Sequence, residues 1–366
     1  QALNESIRTG DVTAHIFEQV DMPASDARDR IGTDVSFLDL ASSGSERWDL
    51  RTLEQTTLPT DLYFPEREKA PLVVLSHGLG GNRNTLMYLA RHLASHGLAA
   101  AVVEHPGSSD EQISALLSGQ IGEAVEPEEM IRRPLDIQIL LDELETLSQS
   151  DPTLLNRLDF QRVGILGHSM GGYTTLASAG ATVDLETLDE SCPPQVTQLN
   201  LSLLLQCLVL SLPQPLPTLY DERVKAAIAI NPLDSAVFGP TGMANIEVPT
   251  MIVSGSADTV TPALAEQIRP FTWLEVPERY LLLMKNGTHF SAVHDSDTAA
   301  MDLPELALGP DPQIAQDYIK AMGLAFLKTY LAEDETYRQY LDPSYIAGFN
   351  QPELPMVLTR EVTLED

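Results

Sequence analysis

The sequence predicts an α/β protein: a doubly wound, mostly parallel sheet interrupted by one inserted, cap-like segment. Three observations carry that prediction. From Trp48 onward, short apolar runs alternate with helix-like stretches. Such runs fit central strands buried on both faces, and a β-α-β order implies parallel crossovers. One run, residues 163–166, leads straight into Gly167-His168-Ser169-Met170-Gly171 and then into a helix-like stretch, 173–179. Finally, His77, His105, Ser169, Asp258 and His289 each fall just after a predicted strand, where sites of open parallel sheets form.

The elements follow in order. Residues 1–45 are polar, with a short helix predicted over 6–20 and no evident chemistry. The alternation at 49–54 and the run 62–64 before Pro65 read as two antiparallel edge strands. The wholly apolar run 71–76 ends in His77-Gly78-Leu79-Gly80-Gly81. A helix over 85–96 places Leu86, Leu89, Ala90 and Leu93 at helical spacing and stops at Gly97. The next strand, 98–103, ends in Glu104-His105-Pro106-Gly107, and a long helix over 128–147 contains Pro134, a kink site. After the Ser169 turn come strands at 224–230, 250–254 and 280–284, a helix at 262–268 and a long amphipathic helix at 314–330.

Between them lies a Leu-rich interruption, 182–220, ending in Pro213, Pro215 and Pro217 and holding both cysteines, Cys192 and Cys207. It reads either as a cap over a site or as an excursion that packs on the body. Two cysteines do not make a zinc site. A disulfide closing the insertion in an oxidising compartment is the expected pairing, with two buried thiols as the alternative.

Composition bounds the function. The chain has 366 residues, 43% hydrophobic, enough for one large domain with additions. With 22 Lys+Arg against 53 Asp+Glu, the formal net charge is −31. Nucleic acid and anionic membranes are therefore not expected partners. A solubilising acidic surface is the plain account of that charge. Adaptation to saline surroundings is the sharper one, prompted by having only five lysines, Lys69, Lys225, Lys285, Lys320 and Lys328. The most apolar segment, 199–212, is too short and too polar to span a bilayer, so no stable membrane insertion is expected. A chain starting at Gln1 reads as a processed form of a secreted or periplasmic protein.

The chemistry centres on Ser169. In Gly167-His168-Ser169-Met170-Gly171 a strand turns sharply into a helix, and glycines are needed where the two backbones crowd each other. Ser169 then sits strained at the apex, with the Met170 N–H beside it at a helix N-terminus. A serine hydroxyl needs a base oriented by a carboxylate, and after such an elbow the order is Ser, acid, His. Only His289 and His294 follow Ser169. His289, in the loop after the 280–284 strand, is the expected base. For the acid, Asp258 precedes a helix directly after a buried strand, and Asp234 in Asn231-Pro232-Leu233-Asp234 is its rival. Either could be only an N-cap. The N–H groups of Leu79 and Met170 are the expected oxyanion donors. His105 is a possible pocket residue, His77 a strand-end residue bonded to backbone, and His168 should point away from the apex. No metal motif or phosphate-binding loop is present, and no cofactor is expected.

From about Trp48 to Tyr340 the chain resembles the α/β-hydrolase superfamily. Ser76-His77-Gly78-Leu79-Gly80, Glu104-His105-Pro106-Gly107, the Ser169 elbow and Gly287-Thr288-His289-Phe290 resemble the platelet-activating-factor acetylhydrolase-like and dienelactone-hydrolase-like esterases, nearest a cyanobacterial branch of secreted hydrolases. Residues 249–262 are similar to the acid-bearing segment of bacterial cutinases and polyester hydrolases, which implies Asp258. The acetylhydrolase likeness keeps Asp234 in play, because there the acid follows the preceding strand. The resemblance implies a serine carboxylic-ester hydrolase with a Ser169–His289–Asp258 triad acting on a small-molecule or polymeric ester. A lipase, phospholipase or polyester hydrolase is the alternative, and a non-catalytic binding protein on the same scaffold is a reading of a different class. The expected organisation is an N-terminal extension (1–45), a catalytic domain (46–342) carrying the insertion, and a C-terminal tail (343–366).

Overall fold

One sheet organises the chain, with strand order β1-β2-β4-β3-β5-β6-β7-β8-β9. The computed structural model describes residues 2–20, 37–53, 56–193, 200–293 and 308–364. The strands are β1 (Trp48–Leu53), β2 (Thr60–Pro65), β3 (Ala70–Ser76), β4 (Ala99–Val103), β5 (Leu158–His168), β6 (Val224–Ile230), β7 (Thr250–Gly255), β8 (Arg279–Met284) and β9 (Met356–Thr359). Strands β3 to β8 run parallel. The β1–β2 pair at one edge and β9 at the other are antiparallel to their neighbours. This is the doubly wound α/β architecture that the alternation predicts.

The core has two layers because successive strand residues face opposite sides of the sheet. Leu72 and Val74, Ile165, Ala227 and Ala229, Ile252, and Leu281 and Leu283 face one layer. It is covered by α3 (Glu129–Ser150), α4 (Met170–Ala179) and the insertion. Val73 and Leu75, Leu166, Ile228, Val253 and Leu282 face the other, covered by α2 (Met87–Ser95) and α8 (Pro312–Tyr330).

The register sets the position of the site. Ser76 pairs with both Val103 and Gly167, His168 with Ile230, Ile230 with Val253, and Gly255 with Met284. The carboxyl ends of the six parallel strands therefore share one edge, and the loops that follow them converge there.

Several elements differ from expectation. Strand β5 begins at Leu158 rather than at 163, because Asp159, Gln161 and Arg162 make its first half half-exposed and hide it from an apolar-run test. The predicted 262–268 helix is a π-turn, Leu264–Ile268, running into a short α-helix, Arg269–Trp273, with Pro270 in its first turn. The segment read as a C-terminal tail supplies β9, all four of whose residues are buried against β8. The N-terminal helix α1 (Ala2–Val20) buries Ile16 in the core. The Gln1 terminus and residues 21–36 of the predicted extension lie outside the described residues.

The insertion holds α5 (Leu185–Ser191) and α6 (Leu201–Cys207), joined by a Cys192–Cys207 disulfide, as expected. Buried Leu188, Leu203, Leu205 and Val209 pack it onto the body. Gln206 ties it there: its Oε1 accepts from the N–H groups of Ala236 and Val237 at 2.8 and 2.9 Å, capping α7 (Ser235–Met243). No helix among the described residues is long and apolar enough to cross a membrane.

Candidate active site

The turn between β5 and α4 has the form that its glycines require. Ser169 has φ 56° and ψ −118°, a left-handed conformation costly for a residue with a Cβ. A Cβ at Gly167 would overlap the Gly171 carbonyl, and one at Gly171 would overlap the Ser76 carbonyl. Strand, helix and the neighbouring β3 end thus meet at backbone distance, which forces Ser169 outward. Its N–H is held by the Ile230 carbonyl at 2.8 Å.

Ser169 and His289 line one cavity of about 40 Å³, together with Gly78, Leu79, Gly80, Gly81, Thr85, His168, Phe290 and Val293. His289 Nδ1 donates to Asp258 Oδ2 at 2.7 Å, which leaves Nε2 as the free ring nitrogen. Asp258 is pinned in turn. Its Oδ1 accepts from the N–H groups of Val260 and Thr261, each at 2.8 Å, and the Thr261 hydroxyl donates to Oδ2 at 2.8 Å. Asp258 thus orients the imidazole while shaping its own turn.

Asp234, the rival acid, stands elsewhere. It is completely buried, and neither carboxyl oxygen has a hydrogen-bond partner among the described residues. Burial, reinforced by the nearby Glu266, holds its carboxyl well above the ordinary carboxylate range, which favours the neutral acid. His294, the second candidate base, lies outside the described residues.

Leu79 and Met170 flank the same corner. Leu79 lines the cavity, and its N–H meets no backbone acceptor among the described residues. Met170 opens α4, where the first N–H groups have no intrahelical partner. Leu79 thus stands on the cavity, and Met170 directly follows Ser169.

Two histidines differ from expectation. His168 lines the cavity instead of pointing away, because its Nε2 donates to the His289 carbonyl at 2.8 Å. Burial, with His289 adding to it, lowers its pKa to about 3, so it is a neutral strut under the His289 loop. His105, expected as a possible pocket residue, is completely buried beneath the 77–81 loop, with Nε2 3.0 Å from Ser76 Oγ. Burial, with the neighbouring Arg133 adding to it, holds its pKa well below the ordinary value.

Sequence reasoning missed Asn231. Its side chain donates to the carbonyls of Thr288 and His289 at 3.3 Å and accepts from the Gly255 N–H at 3.0 Å. It therefore joins the loops that carry the acid and the base. The available signal was an Asn directly after a buried strand, a residue that tolerates the left-handed φ of 43° it adopts here. Among the described residues no group of three His, Cys, Asp or Glu side chains is arranged to hold a metal ion.

A nine-stranded mixed sheet with a serine elbow, and an Asp-supported histidine on the same cavity, defines an α/β-hydrolase of the serine esterase class. Comparison with known proteins agrees. The family model "Platelet-activating factor acetylhydrolase, isoform II" matches residues 52–150. The chain is 23% identical over 291 residues to Cutinase est1 of Thermobifida alba, covering 78% of this chain and 70% of that one. It is 23% identical over 292 residues to a cutinase of Thermobifida fusca, covering 77% and 67%. The platelet-activating factor acetylhydrolase of Cavia porcellus is 24% identical over 307 residues, covering 75% and 60%. The chain is thus similar to α/β-hydrolase serine esterases, and it is a carboxylic-ester hydrolase.

Proposed function

We propose that the protein hydrolyses carboxylic esters through a Ser169–His289–Asp258 triad and an acyl-enzyme. Ser169 Oγ attacks the ester carbonyl, and His289 Nε2 takes its proton and returns it to the leaving alcohol. Asp258 holds the Nδ1–H tautomer and stabilises the imidazolium. The Leu79 and Met170 N–H groups bind the oxyanion. Water, activated by His289, then releases the acid and regenerates Ser169. The observation that carries this reading is the 2.7 Å His289–Asp258 contact on the cavity that Ser169 lines. The small cavity favours a short acyl group.

A second reading, a lipase, phospholipase or polyester hydrolase, is favoured by the relatives' names and by the insertion's exposed Leu201, Leu204 and Leu210. Against a covering lid stands the cavity lining, which includes none of the described residues of 182–220. The disulfide supports a secreted or periplasmic location. Hydrolysis of p-nitrophenyl esters from acetate to palmitate tests both readings: a maximum at short chains supports the first, and a maximum at long chains the second.

A further inference from the structure

We propose that Arg133 is a positioning residue for ester hydrolysis: through His77 it fixes the peptide whose N–H, that of Leu79, faces the oxyanion. The inference rests on the proposed role of Leu79 and extends it to side chains remote from the ester.

The Gly78–Leu79 peptide is held by its carbonyl. Gly78 O accepts from His77 Nδ1 at 2.6 Å and from the Gly81 N–H at 3.1 Å. In a trans peptide the C=O and N–H point in opposite directions. Anchoring the Gly78 carbonyl therefore aims the Leu79 N–H the other way. The loop lies against the nucleophile, since a Cβ on Gly78 would fall 3.1 Å from Ser169 Cβ.

His77 does this in only one protonation state. A carbonyl can only accept, so the proton is on Nδ1. The opposite nitrogen, Nε2, accepts from the His105 N–H at 3.0 Å. An imidazolium has no acceptor and would lose that bond. Burial, with Arg133 adding to it, lowers the His77 pKa to about 3 and keeps the ring neutral.

Arg133 braces the same residue directly. It is completely buried on α3, and its Nη2 donates to the His77 carbonyl and lies 3.5 Å from Ser76 Oγ. Its charge is balanced by Glu129 and Asp136 on the same helix. Glu129 in turn accepts from Ser108 Oγ at 2.6 Å, and the Ser108 carbonyl accepts from the Gly80 N–H at 2.8 Å. Helix α3 thus grips both ends of the loop. A buried guanidinium whose Nε and Nη1 have no partner among the described residues is a costly way to fill volume. An aliphatic side chain would fill it without that cost but could not hold the His77 carbonyl.

The test compares Arg133→Met, Arg133→Lys, His77→Asn and His77→Phe with wild type. Each is measured for kcat and KM on p-nitrophenyl acetate and for inhibition by phenylboronic acid, whose serine adduct is tetrahedral and anionic. Arg133→Met should lower kcat about 10- to 100-fold, less than deleting a donor outright, and weaken boronate inhibition by the same factor. KM should stay within about threefold, since the lost interaction belongs to the transition state. Arg133→Lys should fall between Arg133→Met and wild type. His77→Asn keeps an N–H near the Nδ1 position and should stay within about threefold of wild type, whereas His77→Phe should match Arg133→Met. If the Arg133 variants do not fold, the His77 pair decides. Folded Arg133→Met with unchanged kcat and boronate affinity would overturn the proposal, as would His77→Asn and His77→Phe being equally impaired. If a fluorophosphonate does not label Ser169 in wild type, the chemistry assigned to this cavity fails first. Labelling with indifferent variants removes Arg133 alone.

Discussion

His289 Nδ1 lies 2.7 Å from Asp258 Oδ2, across 31 residues of sequence, while Asp234 makes no hydrogen bond to that ring. Strand β7 delivers Asp258 and strand β8 delivers His289, neighbours in the sheet. If that contact orients the base, Asp258→Asn should lower kcat by about 10²- to 10⁴-fold by disfavouring the Nδ1–H tautomer. Asp234→Asn should leave kcat within about threefold, because no transition-state contact is lost. Steady-state kinetics on both variants checks the assignment, and a reversed ranking would restore Asp234 as the acid.

Asp234 also makes a stability prediction. Its folded carboxyl is raised well above the ordinary value by burial and by Glu266, so folding favours the neutral form. The sign follows: this contribution is fully present below the unfolded value of about 4 and is lost as pH rises toward the folded value. Asp234→Asn, neutral at every pH, should therefore raise the melting temperature at pH 8 more than at pH 4.5. Thermal melts across that range check it; an equal shift at both pH values would contradict it.

Gly171 cannot carry a side chain, because an added Cβ would overlap the Ser76 carbonyl. Gly171→Ala must push apart β3 and α4 and should destabilise by about 3 kcal/mol or more. Gly119, with nothing near its Cβ position but a φ of +74°, is the control: Ala there costs only local backbone strain. Denaturant unfolding of the two variants gives the comparison.

The Cys192–Cys207 bridge closes a loop with a sequence separation of 15. Replacing both cysteines by serine should cost about 3 kcal/mol through freedom restored to the unfolded chain. Activity on short esters should survive, since none of the insertion's described residues lines the cavity. Loss of activity in the folded double variant would show that the insertion shapes the site after all.

The six parallel strands were legible because central strands buried on both faces are short apolar runs, and the residues just past their ends were legible for the same reason. Strand β9 was not, since four apolar residues in a polar C-terminal stretch carry no periodicity to detect. The elbow could be read because its glycines answer a steric demand within five residues. The cutinase resemblance favours Asp258 over Asp234; position alone leaves both open, because both follow buried strands and sheet order decides which loop meets His289. The roles of His105, His168 and Arg133 were hidden for a similar reason. Their partners are carbonyls and side chains of distant segments, and no local pattern marks a side chain as a brace for another loop.

The most direct test of the central claim is turnover of p-nitrophenyl acetate by wild type and Ser169→Ala, alongside intact-mass analysis after fluorophosphonate treatment. The account predicts hydrolysis and a single covalent adduct in wild type. In a variant that melts normally it predicts no adduct and a rate lower by about 10⁴- to 10⁶-fold. Equal turnover or equal labelling in the Ser169→Ala protein would contradict it.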